Sequence, residues 1–201
     1  ASLNPELTDR HGYPLVFRCC PNAQEFASTL VGFMVKNKVE DLIIYGQFDL
    51  YAHNAMADQV ETQAFASGIN IVDRQSFYPT FNQNYVIRQL REWREFRSFD
   101  AMFLTGSPKQ VAQIVKLIRQ EGIKVPLFSD DTQDNPIFSD EVGDAAQDMI
   151  ICSVFNPNDK RPIVQRFVKG FKAKYGSEPN HLSAEGYDTI MALVAGIEKA
   201  K

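Results

Sequence analysis

The sequence lacks the motifs and segments that several common classes of protein require. No apolar run approaches the roughly 18 residues of a membrane-spanning helix. Neither a GxGxxG nor a GxxxxGKS/T loop occurs, which argues against a nucleotide cofactor, and the GxSxG motif of serine hydrolases is absent. The histidines, His11, His53 and His181, are scattered and lack the paired spacing of zinc ligands. We therefore expect no cofactor and no metal site.

An excess of positive charge is also missing. The 201 residues carry a formal net charge of −4, whereas nucleic acids and anionic membranes are usually bound by a basic patch. Hydrophobic residues make up 44% of the chain and charged residues 23%, which is ordinary for a globular domain. The composition therefore predicts a globular protein that binds no nucleic acid.

Cysteine is scarce, and the number of cysteines is odd. The sequence has Cys19, Cys20 and Cys152, so at least one thiol is free or paired between chains. Two of them stand in apolar runs, where a buried free cysteine is common, so structural thiols are the favoured interpretation. A disulfide from Cys19 or Cys20 to Cys152 is the alternative, and the sequence leaves it open.

What the sequence does contain is a regular alternation of strand-like and helical segments. Short apolar runs predict strands, and segments with apolar residues every three or four positions predict helices. This alternation is typical of βαβ units and predicts an α/β fold with three α/β/α layers and a mainly parallel, doubly wound sheet. The predicted strands are 16–20, 41–46, 69–72, 100–105, 123–128 and 149–154, and the predicted helices are 23–37, 51–67, 83–96, 107–121, 161–175 and 183–200.

Polar residues follow three of these strands at the point where each strand ends. The residues are Gln47–Tyr51 after the second predicted strand, Gly106–Pro108 after the fourth, and Ser129–Asp134 after the fifth. The carboxyl ends of parallel strands lie on one edge of the sheet, where open α/β sheets bind their ligands. The pattern favours ligand binding over catalysis.

Asp130 and Asp131 allow three interpretations. Two carboxylates at a strand end could hold Mg²⁺ or accept a phosphoryl group, as in a receiver domain, although the pair comes late in the chain for that chemistry. They could instead cap a helix or lie in a solvated loop. In the third interpretation, one carboxylate pairs with a ligand ammonium or hydrogen-bonds a polar ligand. Tyr51, at the start of a helix, could stack on such a ligand or simply pack on the domain surface.

Taken together, these segments resemble the type I periplasmic binding proteins. The similarity is to the branched-chain amino acid (leucine/isoleucine/valine) substrate-binding branch of ABC transporters, and it spans nearly the whole chain. It is carried by an ordered set of segments: Asp49–Ala52, Ser98–Leu104, Gly122–Leu127, Phe167–Gly176 and Gly186–Thr189. The chain resembles the second lobe of that family together with the segment that returns to the first lobe.

The resemblance implies a division of the chain and a set of ligand contacts. Residues 1–180 would form the ligand-binding second lobe, and 181–201 would be the return helix that belongs to the first lobe. The second-lobe contacts would fall on Tyr51, Ser107 and Asp131, with Asp131 holding the α-ammonium of an amino acid. Ser107 stands where amino-acid binders tend to carry an aromatic residue, and Ala52 replaces the usual glycine, so the ligand is left open.

The function implied is non-catalytic binding of a small polar solute, an amino acid or an amide. The location implied is periplasmic or extracytoplasmic, although the first residues do not form a signal peptide, and the implied partner is an ABC permease or a signalling protein. One alternative is a ligand-sensing or dimerisation module that associates through the apolar face of the last helix. That face contains Ile190, Leu193, Val194 and Ile197. An enzyme that uses Asp130 and Asp131 is the third hypothesis.

Overall fold

A five-stranded parallel sheet forms the centre of the computed structural model, which describes residues 6–9, 14–49 and 51–200. The strands lie side by side in the order β2-β1-β3-β4-β5, and every neighbouring pair is parallel. The predicted α/β class with a doubly wound parallel sheet is confirmed. The strands are β1 (Asp41–Gln47), β2 (Asn70–Phe77), β3 (Ala101–Thr105), β4 (Leu127–Ser129) and β5 (Met149–Ile151).

Eight α-helices occur in the described part of the chain, and their ends carry recognisable signals. Asn22 and Glu25 form a reciprocal capping box at the start of α2. Proline occupies the first turn of α5, and Gly122 follows its end with a φ of +78°. The helices are α1 (Glu6–Asp9), α2 (Ala23–Lys36), α3 (Tyr51–Ala66), α4 (Gln83–Phe96), α5 (Pro108–Gln120), α6 (Pro136–Val142), α7 (Pro162–Tyr175) and α8 (His181–Lys199).

The sheet separates two hydrophobic clusters because successive residues of a strand point to opposite faces. Leu42 and Ile44 pack with α2 and α3 on one face, where Phe103 joins them. Ile43 and Tyr45 pack with α4 and α5 on the other face. Both faces are therefore covered, which explains why β1 and β3 are apolar without alternation.

The last two helices contribute little to these clusters. Val168 is the one buried residue of α7, and His181 is the one buried residue of α8. The apolar side chains along the second half of α8 are 41–58% exposed. The compact part of the described structure is thus built from α2 to β5.

Several predicted elements differ from the structure. Residues 16–20 form no strand: Phe17 is 84% exposed, and this segment lines a hollow with Glu185 and Thr189 of α8. An apolar run becomes a strand only where a partner strand offers hydrogen bonds, and this one lies beside a helix instead. β4 begins after Pro126, since a proline has no N–H to give to a ladder. β5 ends at Ile151, and α6 was not predicted.

Candidate functional site

The crevice at the carboxyl edge of the sheet follows from the order of the strands. β1 and β3 are neighbours, yet α3 after β1 packs on one face of the sheet, and α5 after β3 packs on the other. The chain therefore leaves these two strands in opposite directions, which opens a crevice between the two connections. The polar residues that follow the strands in the sequence lie at this edge of the sheet.

Two glutamine side chains tie the connections of this edge together. Gln47, at the end of β1, accepts a hydrogen bond from the backbone N–H of Ser107 at 2.8 Å and donates one to Asp49 Oδ1 at 2.8 Å. Gln133 donates from Nε2 to the carbonyl oxygen of Gly106 at 2.8 Å. Both glutamines are buried, so these bonds are shielded from water. The loop after β3 is consequently held from both sides.

A second set of buried hydrogen bonds runs from α3 across β3 to the end of β4. His53 Nδ1 lies 3.1 Å from Thr105 Oγ1, and this hydroxyl donates to Asp130 Oδ2 at 2.5 Å. The other carboxylate oxygen, Asp130 Oδ1, accepts from the N–H of Thr132 at 3.0 Å. Burial lowers the pKa of His53, although the nearby carboxylates act in the opposite direction. Asp130 is 1% exposed and thus serves the interior of the domain.

Asp131 has different surroundings from its neighbour. It is half-buried at the start of a 3₁₀ turn, Asp131–Gln133. Burial is the largest cause that raises its pKa, to about 7, and the negative charges of Asp130, Glu185 and Asp134 add to the effect. This carboxyl group is desolvated among like charges, so a cation placed beside it would stabilise its ionised form.

Asp131 lines a cavity of about 200 Å³ between the loop after β4 and the start of α8. Glu185 lies on the same cavity, and no lysine or arginine is among the described residues that line it. The described residues that line it are Cys20, Phe26, Ala52, Asp131, Thr132, Asn135, His181, Leu182 and Glu185. The described lining therefore combines two carboxyl groups with the apolar side chains of Phe26, Ala52 and Leu182.

The predicted site residues lie on the same edge of the sheet but in different settings. Tyr51 begins α3, is 70% exposed, and precedes Ala52, which lines the cavity. Ser107 precedes the first residue of α5, and its side chain makes no capping hydrogen bond. Of the three predicted contacts, Asp131 lines the cavity, and neither Tyr51 nor Ser107 does. Their assignment as ligand contacts stays a prediction.

Sequence reasoning assigned no individual role to several polar residues at this edge. Gln47 and Thr105 are the last residues of β1 and β3, and both are buried. A polar residue that closes an apolar run was the signal that could have identified them. Glu185 and His181 reach the cavity from a helix far along the chain. Nothing in the sequence relates that helix to Asp131.

The three cysteines are free thiols in this structure. Cys19 is exposed, while Cys20 and Cys152 are half-buried. Burial is the main cause that raises the pKa of Cys20 and of Cys152, and the Asp131 carboxylate adds to it in both. Thiols with raised pKa values are poor nucleophiles at neutral pH, so neither half-buried cysteine has the surroundings of a catalytic thiol.

Within residues 6–9, 14–49 and 51–200, no cluster of three or more His, Cys, Asp or Glu side chains has the arrangement of a metal site. None of the helices in this part of the chain combines the length and the apolar character needed to cross a membrane.

Comparison with known proteins identifies the family. A family model described as "Periplasmic binding protein" matches residues 1–201. The chain belongs to the periplasmic binding protein family. Among curated proteins, none matches this chain.

Solved structures show the same relationship. An ABC transporter substrate-binding protein from Desulfitobacterium hafniense is 33% identical, with a TM-score of 0.79 over 95% of this chain and 54% of its own. A second structure, described as an ABC transporter substrate-binding protein from the same organism in complex with Leu, is 32% identical. Its TM-score is 0.82 over 100% of this chain and 56% of its own. The leucine binding protein LivK from Thermotoga maritima, 24% identical, shares the fold with a TM-score of 0.87 over 100% and 56%.

The predicted resemblance to the branched-chain amino acid branch of these ABC substrate-binding proteins is thereby confirmed. The chain spans a little more than half the length of these solved relatives.

Proposed function

We propose that this chain is the ligand-binding second lobe of an ABC transporter substrate-binding protein and binds a small polar solute, an α-amino acid, without catalysis. The observation that carries the proposal is Asp131, a half-buried carboxyl group on an acidic cavity whose described lining residues include no lysine or arginine. A ligand ammonium would supply the missing positive charge and return the pKa of Asp131 toward its usual range. Tyr51 and Ser107 are the proposed further contacts at this edge.

The leucine complex of the Desulfitobacterium hafniense protein supports an amino acid as the ligand class. Family membership supports a periplasmic or extracytoplasmic location and an ABC permease or signalling partner for the whole protein. We further propose the division in which 1–180 form the second lobe and 181–201 form a helix that packs on the first lobe. The exposed apolar side chains of α8 support the second part of this division.

The enzyme alternative is weakened by the surroundings of Asp130. Both of its carboxylate oxygens accept internal hydrogen bonds, from Thr105 and from Thr132. With the side chain 1% exposed, an attacking oxygen could not reach a phosphoryl donor without breaking these bonds. We therefore propose a binding protein and no phosphoacceptor.

The function can be tested by calorimetric titration of the full-length protein with leucine and a panel of other amino acids. Asp131→Asn removes the charge while it keeps the shape, so we expect affinity to fall about ten- to a hundredfold, as for a lost charge-assisted hydrogen bond. Asp140→Asn is the matched control, because Asp140 is exposed on α6 and outside the cavity lining. Equal affinities in both variants would refute the assignment of Asp131.

A further inference from the structure

The hydrogen-bonded chain His53–Thr105–Asp130 joins three elements that carry the proposed ligand contacts. His53 lies two residues after Tyr51, Thr105 lies two residues before Ser107, and Asp130 precedes Asp131. These three hydrogen-bonded residues face the interior, since all three side chains are buried. They are therefore placed to control the contacts without touching the ligand.

The direction of each hydrogen bond follows from the chemistry of the groups. Thr105 has one hydroxyl proton, and it goes to Asp130 Oδ2, since a carboxylate can only accept. The same hydroxyl can then only accept from His53 Nδ1, which must carry a proton. The structure thus assigns the Nδ1–H tautomer to His53.

Close packing of α3 on the sheet supports this arrangement. Gly46 of β1 lies between Thr105 and Ala57, and a Cβ atom there would lie 3.3 Å from Thr105 Cγ2 and 3.8 Å from Ala57 Cβ. Ala57 follows His53 by one helical turn, so one face of α3 contacts both Gly46 and Thr105. The glycine permits the approach that brings His53 Nδ1 within hydrogen-bond distance of Thr105.

We propose that His53 and Thr105 are positioning residues, which act through Asp130 to fix the start of α3 against the loop after β4 and so set the separation of Tyr51 and Asp131. This inference rests on the proposed function for its effect on ligand affinity. Asp130 Oδ1 extends the chain to the N–H of Thr132 and thereby fixes the turn that begins at Asp131. The two adjacent aspartates thus have separate tasks, one internal and one facing the cavity.

The first test needs no ligand. Nitrogen-15 NMR of the His53 ring in the full-length protein should show a protonated Nδ1 and an unprotonated Nε2 at neutral pH. Thr105→Val keeps the shape and removes the hydroxyl, so amide exchange should accelerate together in the second turn of α3, at 55–58, and in the turn at 132–134, while β1 stays protected. Thr105→Ser should restore slow amide exchange in both segments. An Nε2–H tautomer, or exchange that rises evenly over the whole domain, would overturn the proposal.

The second test is leucine affinity. Thr105→Val should weaken leucine binding at least about tenfold, and Thr105→Ser should recover most of this loss, because only the valine lacks the donor. Thr62→Val is the matched control, since the Thr62 hydroxyl donates to the carbonyl oxygen of Asp58 within α3. Equal affinity in Thr105→Val and the wild type would contradict the positioning role. If the wild type binds no leucine, the proposed leucine-based function fails. The tautomer and exchange results still decide whether His53, Thr105 and Asp130 are hydrogen-bonded as proposed.

Discussion

Asp130 and Asp131 are adjacent in sequence, yet the fold gives them opposite environments. Asp130 is buried and satisfied by Thr105 and the N–H of Thr132. Asp131 is desolvated beside other carboxylates, and the pKa of about 7 means that its charge is costly in the unliganded domain. Groups held in such unfavourable surroundings are typical of binding sites, where the ligand supplies what the protein lacks.

This cost has a predictable pH dependence. The folded-state pKa of Asp131 lies above the unfolded value of about 3.9, so the folded state binds the proton more tightly. Stability is therefore lost as the pH rises from about 4 to about 7. Asp131→Asn should be more stable than the wild type at pH 8, by about 1–3 kcal/mol, with little difference near pH 4.

Urea unfolding of both proteins at these two pH values measures the effect. A difference in unfolding free energy that is the same at pH 4 and pH 8 would show that burial of the Asp131 charge costs nothing.

Residue-level pairing was the part of the site that the sequence could not predict. Tyr51, Ser107 and Asp131 were predicted as ligand contacts from the family resemblance, and the polar residues that follow apolar runs predicted that they share one edge of the sheet. The bond between Gln47 and the N–H of Ser107 joins residues 60 positions apart, and the register of β1 against β3 creates it. No local pattern contains that information, since it arises from the order of the strands.

At the scale of elements, the spacing of apolar residues was sufficient to predict a helix where the segment packs against the sheet. The boundaries of α4 agree with the prediction, because Val86, Leu90 and Trp93 are buried at three- and four-residue steps. Residues 16–20 are equally apolar but have no partner strand, so their prediction as a strand is wrong. The apolar pattern indicates burial, and it does not say whether a hydrogen-bonding neighbour exists.

The connection from β3 to α5 depends on Gly106. A Cβ atom at this position would lie 2.9 Å from the Phe77 ring, 3.0 Å from Gln47 Cβ and 3.1 Å from Val111 Cγ2. Gly106→Ala must therefore displace neighbours on three sides, and we expect it to reduce the free energy of unfolding by about 1–3 kcal/mol. Urea denaturation of the purified variant gives the value.

Gly170→Ala is the matched control for this substitution. Gly170 lies within α7, and a Cβ atom there meets nothing within 4 Å, so the variant should be neutral or more stable by up to about 1 kcal/mol. If both alanine variants had the same free energy of unfolding, the close packing around Gly106 would not contribute to stability.

At the scale of the whole molecule, the apolar face of α8 needs a partner. Ile190, Leu193, Val194 and Ile197 follow the i, i+3, i+4, i+7 spacing and are 41–58% exposed. In the proposed account the remainder of the full-length protein covers this face. In the alternative account, a ligand-sensing or dimerisation module, a second copy of the chain covers it.

Sedimentation over a range of concentrations separates these accounts. The 201-residue chain alone should self-associate, and Leu193→Gln should reduce the association, because the substitution breaks the apolar face. Phe65→Gln, which alters an exposed aromatic residue on α3, should leave it unchanged. The full-length protein should be monomeric. A full-length dimer that Leu193→Gln dissociates would favour the alternative.

The central claim is that the crevice binds an amino acid through its ammonium group at Asp131. The most direct measurement is a crystal structure of the full-length protein grown with leucine. We predict the ligand at the carboxyl edge of β1, β3 and β4, with its nitrogen about 3 Å from an Asp131 carboxylate oxygen. A leucine whose ammonium pairs with another group, or a crevice that stays empty at saturating leucine, would contradict the account.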